Sequence, residues 1–115
     1  MLVVPVLLLV VVAQLPRGEK KPTRNPEAYA LCTKGTEMMR RPAIGPAPLE
    51  EAQHLFERAI ALDSKFALAH ARLSRVHSLL YAYFSPEEVH KQRAKSEAEE
   101  ALRLDPFDLP HPTEH

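Results

Sequence analysis

Six histidines and a single cysteine are the side chains of this chain best suited to hold a metal or attack a substrate. Their spacing argues against both. His70 and His77 stand two helical turns apart, which separates their imidazoles by about 10 Å, too far to share one ion. His111 and His115 have the i, i+4 spacing of a helical metal pair, but Pro110 and Pro112 interrupt any helix there. The histidines therefore read as isolated, solvated side chains, and a small metal-binding protein remains only an alternative. Cys32 stands alone, which excludes an internal disulfide, and its local sequence contains nothing that guarantees a depressed thiol pKa. It reads as a small apolar group on a helix face. Glu97, Glu99 and Glu100 run beside Lys91, Arg93, Lys95 and Arg103 as charged helix surface. No nucleophile, base and orienting group can be assembled from these residues. The expectation is no catalytic activity, no cofactor and no metal site.

Those side chains must be positioned by helices. Ala and Leu are abundant, Trp is absent, and eleven prolines against three glycines fall mostly at segment edges. Asn25-Pro26-Glu27 is a helix start, and Ala28, Leu31, Cys32, Met38 and Met39 follow a 3.6-residue rhythm up to Arg40-Arg41. Pro42, Gly45, Pro46 and Pro48 then break the chain. A second helix begins at Pro48-Leu49-Glu50-Glu51 and carries the stripe Ala52, Leu55, Phe56, Ala59, Ile60 and Leu62. A third spans about 66–84, with Ala69, Leu73, Val76, Leu80 and Tyr83 on one face. Leu68, Ala71 and Leu79 widen that face, and Tyr81 and Tyr83 read as core or linker packing. Ser85-Pro86-Glu87-Glu88 reads as a capping box for a fourth helix carrying Val89, Ala94, Ala98, Ala101 and Leu102, closed by Asp105-Pro106.

The second and fourth helices repeat each other. Ala59-Ile60-Ala61-Leu62-Asp63-Ser64 recurs as Ala101-Leu102-Arg103-Leu104-Asp105-Pro106, and Ala52, Phe56 and Ala59 share offsets with Ala94, Ala98 and Ala101. Such self-similarity marks a repeat protein, which works by presenting a surface. These residues resemble the tetratricopeptide repeat, whose second helix asks for a small residue, a bulky one and an alanine, with proline just beyond. Ala52, Phe56, Ala59 and Ser64 meet that pattern once; Ala94, Ala98, Ala101 and Pro106 meet it again, with alanine for the bulky residue. Leu31 and Gly35 match the first helix of the family, and His70, Leu73 and Ser74 occupy the related positions. Asn25-Pro26-Glu27-Ala28-Tyr29 with Ala59-Ile60-Ala61-Leu62-Asp63 is similar to arrays attached to bacterial adenylate cyclases, kinases and TolB-like propellers. None of those attached modules is legible here.

The resemblance implies an all-α fold: two antiparallel hairpins, 26–64 and 66–106, stacked as a short solenoid. It also implies an adaptor or scaffold that binds a protein or peptide in a groove lined by the first helices. Carried over by position, the groove residues are Tyr29, Thr36, Met39, Arg40, Leu68, Ala71, Arg75 and Leu79, with Cys32 beside them. Arg40 and Arg75 would hold a peptide carboxylate. Arrays of this kind normally need about three repeats, so Leu102, Leu104, Phe107 and Leu109 are expected to form an open apolar edge for self-association or a partner. The alternative is a truncated fragment of a larger bacterial membrane signalling or regulatory protein.

Three further segments flank the repeats: an apolar leader (1–16), a basic linker (17–25) and a Pro/His tail (107–115). Leu2–Ala13 is unbroken apolar sequence, short for a bilayer span of about 20 residues. A signal peptide, an uncleaved membrane anchor, the remnant of a longer spanning segment and a buried strand or helix all fit it. Arg17, Lys20, Lys21 and Arg24 follow as a juxtamembrane basic cluster. The leader points to a membrane-associated or exported, periplasmic protein; a cytoplasmic one is the alternative. The balance of fifteen basic and fifteen acidic groups excludes a general affinity for nucleic acid.

Overall fold

The computed structural model describes residues 23–40 and 45–106. Within them lie four helices and no strand: α1 (Pro26–Arg40), α2 (Ala47–Leu62), α3 (Ala67–Tyr83) and α4 (Glu88–Leu104). The leader, the linker as far as residue 22 and the tail with Phe107 and Leu109 lie outside the described residues. No helix among the described residues is long and apolar enough to cross a membrane.

Local chemistry fixes where each helix begins and ends. Asn25 caps α1, its side-chain oxygen accepting the Ala28 N–H at 2.9 Å. The Thr23 hydroxyl donates to the Asp63 carboxylate, tying the start of α1 to the end of α2. Gly45 takes φ +106°, a left-handed conformation that glycine alone adopts cheaply, and so turns the chain into α2. Helix α2 starts one residue earlier than the sequence suggested, with Pro48 in its first turn, where a missing N–H costs nothing. Asp63 then stops α2 in extended backbone and accepts the Lys65 N–H at 3.1 Å, forming a tight Asx turn into α3.

One expected start signal fails. Ser85 does not cap α4: Glu87 occupies the cap position without a side-chain bond, and the Ser85 hydroxyl donates to the Glu87 carboxylate at 2.6 Å. The serine sits two residues too early, so its hydroxyl meets that side chain rather than the exposed N–H groups of the first turn.

Each helix packs on the next in sequence, and α1 also touches α3. The core joins Ala28 and Cys32 of α1, Leu49, Ala52, Phe56 and Ala59 of α2, Phe66, and Ala69, Leu73, Val76 and Leu80 of α3. Helix α4 contributes nothing to that cluster; Ala101 is its one buried residue. Gly35 is required by close approach, since a Cβ there would sit 2.8 Å from the Phe56 ring.

Candidate functional site

Two adjoining cavities, about 200 and 230 Å³, lie along the side where α1 meets α3. Seven of the eight groove residues expected from the sequence line them: Tyr29 and Leu68 the first, Met39, Arg75 and Leu79 the second, Thr36 and Arg40 both. Ala71 lines neither and is half-buried. Cys32 forms part of one wall but is 3% exposed. Burial pushes its thiol up to about 11, against the pull of Arg72 and Thr36, so at neutral pH it is a protonated, inert group.

Arg72 is the residue that sequence reasoning passed over, and it borders both cavities. Its Nε is buried and has no partner among the described residues. A signal for it existed: Leu68, Arg72, Arg75 and Leu79 follow the i, i+4, i+7, i+11 spacing of one helical stripe, and only Arg72 was left out. Arg40 bonds Glu37 at 3.3 Å, but both side chains are largely exposed, so water competes and the pair is weak. Three guanidinium groups thus border one groove whose walls include Leu68, Met39 and Leu79. Guanidinium forks pair with carboxylates through parallel N–H donors, and the aliphatic walls suit the neighbouring apolar atoms of a peptide.

A second constellation lies between α3 and α4, and it corrects the reading of the histidines as isolated and solvated. His70 and His77 are 7% and 2% exposed. His70 Nε2 donates to the Ser64 carbonyl at 2.9 Å, and its Nδ1 lies in hydrogen-bond contact with the Glu97 carboxyl group at 2.6 Å. Ser74 donates to the Ala94 carbonyl at 2.6 Å. His77 Nδ1 meets His90 Nδ1 at 3.0 Å. Arg93 spans from Glu97 at 3.3 Å to Glu57 of α2 at 3.9 Å. Glu97 is therefore an interface residue rather than part of the charged surface, because it lies on the stripe of α4 that faces α3. His70 and His77 do not bond each other, in keeping with their spacing. Of the residues expected to widen the apolar face of α3, Leu68 and Leu79 are half-buried against the core and Ala71 is half-buried; the side toward α4 buries His70 and His77, with Ser74 half-buried between them.

Other expected positions are dispersed. Tyr83 is 73% exposed, not packed, and Tyr81 is half-buried. Of the expected edge, Leu102 is exposed and Leu104 half-buried. A more open recess of about 630 Å³ lies between residues 23–26 and 62–65, and its Thr23 and Asp63 side chains already bond each other. No three metal-ligating side chains converge among the described residues. Comparison with protein-family models, with curated proteins and with solved structures finds no match to the chain.

Proposed function

We propose that this chain is a small interaction module of the tetratricopeptide kind, which receives a carboxylate-bearing peptide segment of a partner protein along the α1–α3 groove. The observation that carries the reading is Arg72, whose buried Nε has no partner among the described residues and which borders both cavities, with Arg40 beside both and Arg75 beside the second. A buried donor without an acceptor is costly, so a ligand that supplies one gains both the hydrogen bond and the relief of that cost. The forty-two-residue period and the Gly35–Phe56 contact support the repeat reading beneath it.

The test is binding of fluorescently labelled peptides with acidic C-termini to the full chain, followed by anisotropy. Arg72→Ala is expected to weaken the tightest of them at least tenfold, in line with about 1.5–3 kcal/mol for a hydrogen bond to a charged group. Capping that peptide's C-terminus as an amide and neutralising its acidic side chains should cost as much. A loss below twofold from Arg72→Ala, with the fold intact by circular dichroism, would remove the groove as the site.

A further inference from the structure

The pairing of His77 with His90 has a geometry that decides its chemistry. The two Nδ1 atoms are 3.0 Å apart and the ring centres 5.2 Å apart. Both nitrogens therefore lie close to the line between the ring centres, and their lone-pair directions meet head-on. This is the geometry of an N–H···N hydrogen bond and not of a chelate. A metal on that line would need about 2.0 Å to each nitrogen, some 4 Å in all, which 3.0 Å does not supply. One nitrogen donates and the other accepts, so the contact holds a single proton. A proton on each would set two N–H groups against each other.

The surroundings sharpen this constraint. His77 is 2% exposed, and its Nε2 is buried with no partner among the described residues. From α4 it is faced by His90, Arg93 and Glu97, and from α2 by Glu57; the Arg93 guanidinium and His90 oppose a charge on His77, while the two carboxylates favour one. Those carboxylates already have partners: Glu97 serves His70 and Arg93, and Glu57 accepts from Gln53. Helix α4 buries only Ala101 and stands outside the apolar core, so polar bonds hold it to α3: His70 to Glu97, Ser74 to the Ala94 carbonyl, and His77 to His90.

We propose that the His77–His90 bond is an acid-sensitive latch: charging both rings parts α4 from α3 and uncovers the polar face of α3 formed by His70, Ser74 and His77. The α1–α2 hairpin, whose packing involves no histidine bond, stays folded. Burial first, then Arg93 and His90, hold His77 below its ordinary value of 6.5 while α4 is docked. Once released, the ring returns toward that value and binds the proton more tightly than the docked state does. The docked state is thus fully favoured above about pH 6.5 and loses ground as the pH falls below it.

Amide hydrogen exchange on the full chain, corrected for intrinsic rates, tests the latch. Between pH 7.5 and pH 5, protection of α4 amides is expected to drop about tenfold or more relative to those of α2. His90→Gln keeps a polar side chain that cannot charge, and it should flatten that response; His77→Gln should do the same from the other helix. An α4 protection that does not change relative to α2 overturns the proposal, as does equal loss across all four helices. A response that survives both substitutions overturns it as well. Should both variants lose α4 protection at every pH, the wild-type comparison between α4 and α2 decides alone.

Discussion

Helix α1 buries Ala28, Cys32 and Gly35, and forty-two residues later α3 buries His70 and His77 with Ser74 half-buried between them. The partners differ in the same way. Where α2 carries Leu55 and Phe56, α4 carries Glu97 and Ala98. In the first hairpin the bulk comes from Phe56, which fills the space that Gly35 leaves; in the second, bulk and polarity move to the first helix and alanine stands opposite. The same helix pairing is thus held in one copy by close apolar contact and in the other by directional hydrogen bonds. The comparison teaches that the repeat conserves backbone spacing, while each interface chooses its own chemistry. Apolar contact is indifferent to protonation, whereas the second interface depends on which side chains carry protons.

That contrast can be broken by substitution. The largest effect is expected at Phe56, fully buried against Gly35. Phe56→Ala should cost about 3–5 kcal/mol in urea denaturation, since the surrounding backbone cannot close the void. A loss below about 1 kcal/mol would mean that the first hairpin is not held by apolar packing. Next comes Glu97→Leu, which copies the first hairpin's Leu55 into the second. By itself it strands the His70 ring and should cost about 2–3 kcal/mol. Adding His70→Ala, the residue type of Ala28, should restore most of the loss, because the pair is then replaced whole. A double-mutant cycle with coupling under about 0.5 kcal/mol would show the two sites to be independent. The smallest effect belongs to Ser74→Ala, which removes a hydroxyl donated to the Ala94 carbonyl and should cost about 1 kcal/mol by the same denaturation.

Much of the fold was legible because its signals are local. Asn25 marks the start of α1 and Asp63 the end of α2 through bonds to residues two to four positions away. The stripe Ala52, Phe56 and Ala59 is buried where its periodicity places it. Ser85 misled because a capping box is a pattern of types, and a shift of two residues sends its hydroxyl to a carboxylate instead. The groove residues could be named because one face of a helix can be counted, and Arg72 was lost only by choosing Ala71 from two adjacent positions. The histidines were misread for a different reason. Spacing along one helix correctly excludes a shared ion between His70 and His77, yet is silent about what a neighbouring helix offers.

The sequence by itself determined four helical segments, their period and their small-and-large apolar stripes, since helix propensity, turn chemistry and amphipathic rhythm act over a few residues. Tertiary structure decided which polar groups meet. His70 finds Glu97 twenty-seven positions away and His77 finds His90 thirteen away, each across a helix boundary. Such contacts depend on the rotation of one helix against another to within a fraction of a turn. That angle is set by how the whole set of side chains fills the space between them, a sum that no single segment contains.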